Sequence, residues 1–268
     1  MRRTALPLPL VILLAACGSN PAPLPPELQG SARSAPDTGH ELLEQMHAAH
    51  AGTWYRTLTF VQRTTFPGRP AETWYEAAAL PGKLRIDIAP LDSMRATMYV
   101  GDSAFAFRGG VRTNARKDRN LLLTLGFDVY AQPPATTAAQ VSAQGIDLSR
   151  LSQGTWQGRP VWIVGAEAGD TASSQFWVDA DRLVFVRLLQ KVARPNNQTA
   201  VLDAEFNKYQ RLAGGWIAPE VIIRLDGQQI MKEEYSDMRA DVPLPADLFS
   251  TTEYVRPAWI VPPQTGNR

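Results

Sequence analysis

The sequence predicts a mainly β protein, in which a single strongly curved antiparallel sheet of about ten or eleven strands wraps around a leading helix and a mid-chain helical insertion. Three observations predict this. Short runs rich in valine, threonine and aromatic residues recur along the chain, separated by turns that contain glycine or proline. Two stretches interrupt these runs with the apolar periodicity of a helix. No repeat of solenoid or propeller period is present, so the strands are assigned to one domain.

The leading helix is predicted over residues 40–50. Leu42, Leu43, Met46 and Ala49 fall on one side of a helical wheel, and a glycine follows as a stop signal. Runs rich in aromatic and β-branched residues come next, and the first two are joined by a proline- and glycine-containing turn, as in a long hairpin. The strands predicted in this half of the chain cover residues 53–66, 73–79, 83–88, 96–100 and 104–108, and residues 111–115 are a further candidate strand.

The middle of the chain is too densely apolar for a solvated strand face. We therefore expect a helix over residues 118–130 and a second short helix over residues 136–144. Further on, residues 161–164 and 183–186 are apolar at every position, which indicates central strands covered on both faces. The strands predicted in the second half cover residues 155–166, 175–179, 183–191, 200–211, 216–225 and 229–239.

The N-terminus has the pattern of a secretory signal, with Arg2 and Arg3 ahead of an apolar run that ends in Leu-Ala-Ala-Cys at Cys17. The run is shorter than the roughly 20 residues that a membrane span needs. The order aliphatic, small, small, cysteine resembles a bacterial lipobox. Residues 1–16 are then a lipoprotein signal peptide, and Cys17 is the lipidated first residue of the mature chain. The alternative is an ordinary signal peptide with a cysteine near its cleavage site.

The two ends of the mature chain are rich in proline. Residues 17–38 have the composition of an extended tether, and residues 253–268 that of a tail that trails off, which leaves residues 39–252 as the folded domain. Cys17 is the only cysteine, so stability must come from a core and not from disulfides. The formal net charge of +1 includes Arg2 and Arg3, so the mature chain is near neutral and nucleic acid is excluded as a partner.

Catalytic and metal chemistry have little support. His40, Glu44 and His47 stand one and two helical turns apart and are weak candidates for a zinc site, against the simpler interpretation of half-exposed histidines. The sequence has no G-x-S-x-G elbow, and the folded part has no cysteine for a Cys/His pair. We therefore expect neither a cofactor nor an enzymatic activity.

Large apolar side chains concentrate on the predicted strands and the mid-chain helix. On a curved sheet such residues either interlock into a solid core or line an apolar cavity, and the residues alone favour the filled alternative. The candidate cavity-lining residues are Trp54, Phe60, Trp74, Leu122, Leu125, Phe127, Trp162, Phe176, Trp177 and Phe185.

Over residues 40–252 the sequence is similar to the LolA/LolB-type family of lipoprotein-sorting and lipoprotein-receptor proteins. The similarity rests on the leading helix with its aromatic first strand, on Leu-Gly-Phe at 125–127, on the hairpin of residues 176–187, and on Pro-Leu-Pro-Ala-Asp-Leu-Phe at 243–249. It implies an unclosed half-barrel with a helical lid over a hydrophobic cavity, and so favours the hollow alternative. The family's lid arginine and protruding-loop leucine have no residue-by-residue counterpart here, and the tether is unusually long.

The resemblance implies a function in the cell envelope. With Cys17 lipidated, the chain is more like the membrane-anchored receptor than the soluble carrier, and it is expected to bind acyl chains of lipoproteins or lipids. Gly18 replaces the aspartate that tends to retain a lipoprotein in the inner membrane, which favours the outer membrane. The alternative is a sensor or protein-interaction module without lipid cargo. The basic stretch 108–119 is either a contact for an anionic partner or a strand edge guarded by charge.

Overall fold

The computed structural model describes residues 34–260 and divides the chain into two units, residues 1–35 and 36–268. The fold is that of the second unit. The predicted signal peptide, Cys17 and the tether up to residue 33 lie outside the described residues, as do residues 261–268. Among the described residues, no helix has the length and apolar character needed to cross a bilayer.

Three α-helices occur in the described part of the chain: α1 (Gly39–His50), α2 (Leu121–Gly126) and α3 (Pro134–Ser142). The side chain of Thr38 caps α1 by accepting a hydrogen bond from the Glu41 backbone N–H at 3.2 Å. The predictions of a leading helix and of two mid-chain helices are confirmed, although the first mid-chain helix is shorter than expected. It begins only after Asn120, whose side chain caps it, and it ends at Gly126 before a single 3₁₀ turn.

Antiparallel strands form the rest of the domain. Those of the first half are β1 (Thr57–Thr65), β2 (Glu72–Ala79), β3 (Lys83–Ile88), β4 (Arg95–Val100), β5 (Ser103–Arg108) and β6 (Val111–Lys117). Those of the second half are β7 (Leu151–Trp156), β8 (Arg159–Val164), β9 (Gln175–Asp179), β10 (Phe185–Ala193), β11 (Thr199–Asn207), β12 (Gln210–Leu212), β13 (Gly215–Ile217), β14 (Glu220–Leu225) and β15 (Gln228–Ala240).

One sheet of thirteen strands has the order β6-β5-β4-β3-β2-β1-β15-β14-β11-β10-β9-β8-β7, and β12 pairs only with β13. The strands β6 and β7 are its two free edges, so the sheet is not closed into a barrel, as the open half-barrel prediction requires. The expected ten or eleven strands are too few. The predicted strand 155–166 is two strands, β7 and β8, because the chain reverses at Gln157 and Gly158, which both have positive φ. The predicted strand 200–211 breaks at Lys208 in the same way.

The first strand begins later than predicted, at Thr57. Trp54 and Tyr55 lie in the turn that follows α1 and are both buried. The Trp54 ring stacks on that of Tyr130, with centroids 3.8 Å apart. These aromatic residues therefore fix the passage from α1 to the sheet against the mid-chain segment, which is why an aromatic run there need not be a strand.

The two faces of the sheet are both covered over β2 to β4. The inner face carries the helices and the main core. On the outer face Leu248 and Phe249 pack against Ala77, and Tyr254 packs with Phe107. The expectation that the chain trails off after Phe249 is wrong up to Ile260, because these residues supply the apolar and carbonyl contacts that cover this outer face.

Candidate functional site

A cavity lies between α2 and the inner face of β1, β2, β3 and β15. Its volume is about 80 Å³, and the empty space around it, open solvent included, comes to about 550 Å³. We call it the deep pocket. Its wall is mostly apolar. The lining side chains are Leu58, Phe60, Trp74, Glu76, Ala78, Leu84, Ile86, Asn120, Leu122, Leu123, Phe127, Phe206, Glu233 and Tyr235.

A wider and more open cavity of about 350 Å³ adjoins the deep pocket. We call it the vestibule. It shares Trp74, Ile86, Asn120, Leu122 and Glu233 with the deep pocket and continues over β4, β10, β11 and β14. The open side of the half-barrel thus leads into an apolar cavity under the mid-chain segment.

The structure brings only some of the ten candidate lining residues to this cavity. Phe60, Trp74, Leu122 and Phe127 line the deep pocket. The other six pack into the main core, five of them buried and Trp162 partly buried: Trp54, Leu125, Trp162, Phe176, Trp177 and Phe185. The half-barrel is therefore filled in one part and hollow in another.

The division between filled and hollow runs through α2 itself. Leu125 is fully buried, and Gly126 next to it lets the Phe206 ring approach so closely that an added Cβ would lie 3.2 Å from it. Leu122 is only partly buried and lines both cavities. One side of α2, with Leu125, therefore packs into the core, and the other side, with Leu122, forms a wall of the deep pocket.

Two carboxyl groups stand on the inner face within this apolar wall. Glu76 on β2 is 5% exposed, and no described residue donates a hydrogen bond to its side chain or forms an ion pair with it. Burial raises its pKa well above the usual value, and the nearby Glu233 carboxylate raises it further. A buried carboxyl without a partner is rare because its desolvation is not offset.

Glu233 lies on β15, on the other side of β1 from Glu76. It is partly buried and lines both cavities. Burial raises the pKa of Glu233 to about 7, although the Tyr235 hydroxyl donates a hydrogen bond to its carboxylate at 2.7 Å. On β1 between the two carboxyls lies Gln62, whose buried Oε1 accepts no hydrogen bond from the described residues.

A single buried contact ties the roof of the deep pocket to the sheet. The Gly82 backbone N–H, in the turn between β2 and β3, donates to Asp128 Oδ1 at 2.8 Å. Asp128 is 2% exposed, and burial raises its pKa to about 7. The segment after α2 is thus held to the hairpin of β2 and β3 by a carboxyl with one hydrogen-bond donor among the described residues.

The histidines of α1 make packing contacts. His40 and Glu44 are exposed, and His47 Nδ1 lies 3.3 Å from the Val129 carbonyl. His50 Nε2 lies 3.0 Å from the Arg182 carbonyl. No three His, Cys, Asp or Glu side chains come together as metal ligands within residues 34–260. His47 and His50 therefore join α1 to neighbouring segments.

The basic stretch lies at a free edge of the sheet. Every residue of β6 is exposed, and this strand pairs only with β5. Arg112 donates to the Thr251 carbonyl, and Lys117 pairs with Asp102 at 2.7 Å. Charged side chains thus cover an edge that could otherwise pair with another strand.

Sequence reasoning missed the two carboxyls. Glu76 follows Trp74 by two residues, so strand alternation places both side chains on one face, and this signal was available. Glu233 gave no comparable signal, since the sequence around it reads Lys-Glu-Glu-Tyr and contains two acidic residues on opposite faces.

Comparisons with known proteins bear on the fold. The sequence matches no protein-family model and no curated protein. A putative outer membrane lipoprotein-sorting protein domain from Vibrio parahaemolyticus superposes with a TM-score of 0.52 at 9% identity, covering 79% of this chain and 96% of that chain. A DUF1329 family protein from Desulfovibrio piger gives 0.50 at 12% identity, with 79% and 95% covered. A LolA superfamily protein from Nitrosomonas europaea gives 0.47 at 15% identity, with 80% and 97% covered. The fold that the sequence resemblance implied is confirmed.

Proposed function

We propose that this chain, which has the fold of the LolA/LolB-type lipoprotein-sorting proteins, is a lipid-anchored cell-envelope protein that binds acyl chains of lipoproteins or lipids in the deep pocket. The observation that carries the proposal is the apolar cavity beneath α2, which continues into an open vestibule. A protein that lifts an acyl chain from a membrane must offset about 0.8 kcal/mol for each methylene, and a wide apolar concavity is what can do so. No catalytic step is part of the proposal.

The anchor is the second part of the proposal. Acylation of Cys17 would hold the domain at a membrane, and Gly18 after it favours the outer membrane. Cells grown with labelled palmitate should incorporate the label into the wild-type chain and not into Cys17→Ala. Label retained in Cys17→Ala would contradict anchoring at this residue.

The cargo test uses the Cys17→Ala protein, purified and extracted with organic solvent. Mass spectrometry should detect acyl-containing lipid in the extract, and the emptied protein should bind an apolar fluorescent dye. Protein that carries no lipid and also fails to bind the dye would overturn the proposal.

A blocked variant shows whether the ligand enters this pocket. Ile86 lines both cavities, so Ile86→Trp should fill space at their junction and reduce dye binding roughly tenfold or more. The control is Val111→Trp, which adds the same ring at a position that is 67% exposed on β6. Equal dye binding by both folded variants would place the ligand elsewhere.

One observation favours a second candidate, a protein-interaction module. The free edge β6 could accept a partner's strand, guarded though it is by charge. Cross-linking from Val111 in the envelope would then recover a specific partner, and Ile86→Trp would leave that partner bound.

A further inference from the structure

Acceptor groups without a matching donor stand in and beside the wall of the deep pocket. The Glu76 side chain is 5% exposed, and it has no hydrogen-bond or ion-pair partner among the described residues. Glu233 accepts a hydrogen bond from the neutral Tyr235 hydroxyl and forms no ion pair with any described residue. The buried Oε1 of Gln62 also lacks a donor. All three stand on β1 or its two neighbours, on the face that carries the pocket.

No basic side chain of the described residues compensates these carboxyls. Lys232, beside Glu233 in sequence, points to the other face and pairs with Glu220 and Glu234. Arg119, which lines the vestibule, donates to the Gly101 carbonyl at 3.5 Å. The pocket therefore holds two carboxyl groups that no cation of the described residues pairs with.

The fold does not need these carboxyls for packing. Neighbouring positions on the same face of the sheet hold Leu58, Ala78, Leu84 and Ile86, all of which pack without polar atoms. Two acids placed where leucines would fit lower stability, since each must lose its hydration without gaining an ion pair. Such groups are typical of a site whose partner is the ligand.

We infer that Glu76 and Glu233 receive the amino group of an amphiphile whose apolar chain lies in the deep pocket. The inference rests on the proposed function and adds the polar part of the ligand to it. An ammonium group offers three N–H donors and a positive charge, which suit carboxyl groups that lack a cation. A fatty-acid carboxylate would instead meet like charge.

Two sources could supply an amine next to acyl chains. One is a phospholipid with an ethanolamine headgroup, and the other is a lipoprotein whose acylated cysteine keeps a free α-amino group. In the phospholipid a phosphate stands close to the amine and would be repelled by the second carboxylate. The α-amino group of a lipidated cysteine has no such neighbour and is favoured.

The first experiment compares ten-carbon amphiphiles that differ only in the polar group. Decylamine, decanol and decanoate are used to displace an apolar dye from Cys17→Ala protein at about pH 8, where decylamine is a cation and decanoate an anion. Decylamine should bind roughly 10- to 100-fold more tightly than decanol, and decanoate should be the weakest. In the double variant Glu76→Gln/Glu233→Gln the amine and the alcohol should bind within about twofold of each other.

The matched control is Glu205→Gln. Glu205 is also a buried strand glutamate, but Arg224 pairs with it at 3.2 Å and it does not line the pocket. This variant should keep the full preference for decylamine. A preference that persists in the double variant, or is absent from the wild type while decanol still binds, overturns the inference and leaves the proposed function standing. If none of the amphiphiles and no dye enters, the proposed function fails as well.

The second experiment distinguishes the two sources. The probes are a diacylglyceryl-cysteine peptide with a free α-amino group, the same peptide with that group acetylated, and lysophosphatidylethanolamine. Tight binding of the free-amine peptide, with a loss of roughly tenfold on acetylation, supports the lipoprotein source. Tighter binding of lysophosphatidylethanolamine than of the free-amine peptide assigns the subsite to a phospholipid headgroup. If the two peptides bind equally and lysophosphatidylethanolamine does not bind more tightly, the inference is overturned.

Discussion

The hairpin of β2 and β3 carries buried ionisable side chains on both of its faces. The two faces differ in the partners that these side chains have. On the outer face Arg85 and Asp87 are essentially inaccessible and joined by two hydrogen bonds of 2.7 and 2.8 Å. Arg85 also donates to the carbonyls of Leu248 and Val255, and the Tyr254 hydroxyl donates to Asp87. On the inner face Glu76 has none of these contacts.

The difference separates two uses of a buried charge. The outer pair is saturated by groups from the C-terminal segment, so its role is to fasten residues 248–255 to the sheet. The inner carboxyls weaken the fold and face a cavity, so their role is expected in binding. Loss of a charge should therefore have opposite effects on stability at the two sites.

The largest effect is expected for Arg85→Met. This change leaves Asp87 buried without its cation and frees two carbonyl groups, and should lower the free energy of unfolding by about 3–5 kcal/mol. Chemical denaturation of the domain measures it. A loss below about 1 kcal/mol would show that the outer pair is not the fastening we describe.

Two of the leucines of α2 extend the comparison to apolar residues. Leu125→Ala empties a fully buried core position and should cost about 2–5 kcal/mol. Leu122→Ala only widens the deep pocket, so it should cost about 1 kcal/mol or less and alter dye binding more than stability. Similar losses of stability for both variants would mean that Leu122 belongs to the core.

A pH titration tests the inner carboxyls. Because the folded pKa of Glu233 is about 7, above its value in the unfolded chain, its contribution to stability is fully present below the unfolded pKa and is lost as the pH rises through 7. Glu233→Gln removes this loss. At about pH 8 it should be more stable than the wild type by on the order of 1–2 kcal/mol, with little difference at about pH 4.

The pH titration needs one control, since Asp128 also has a folded pKa of about 7 and contributes with the same sign. The informative quantity is therefore the difference between wild type and Glu233→Gln at each pH. A difference that does not grow between about pH 4 and 8 would contradict an uncompensated carboxyl at this position.

The smallest effect is expected for Arg63→Met, which is the same substitution as at Arg85 but in an exposed pair. Arg63 and Glu234 lie 3.3 Å apart with side chains 61% and 42% exposed. Removing this cation should change stability by about 0–1 kcal/mol, and less in high salt. A larger loss of stability would show that an ion pair need not be buried, as Arg85 and Asp87 are, to stabilise the fold.

The sequence predicted local structure better than it predicted the site. The bounds of β3 and β9 match the prediction, because turn residues flank both runs and their composition is typical of strands. Trp54 was assigned to a strand on composition, although stacking on Tyr130, distant in sequence, places it in a turn. Phe176 and Phe185 have the same apolar character as Phe60, yet only Phe60 lines the pocket, since the position of α2 decides which part of the concavity is filled.

The carboxyls could not have been placed from local patterns alone. Alternation puts Glu76 on the same face as Trp74, but nothing near it in sequence indicates that Glu233 lies across β1 from it. That arrangement depends on the pairing of β1 with β15, whose residues are separated by most of the domain. A long-range pairing of this kind leaves no local periodicity.

The position of β15 has a consequence for how the domain assembles. It inserts between β1 and β14, so during synthesis the ribosome releases it only after both of its neighbours. Until then the nascent chain can form only two separate meanders. Each of them ends in an unpaired edge strand, β1 or β14, which is prone to aggregation. The last long strand completes the sheet, and in the same event it brings Glu233 across β1 from Glu76. A polypeptide truncated before β15 therefore lacks Glu233 and leaves β1 and β14 without the strand that joins them.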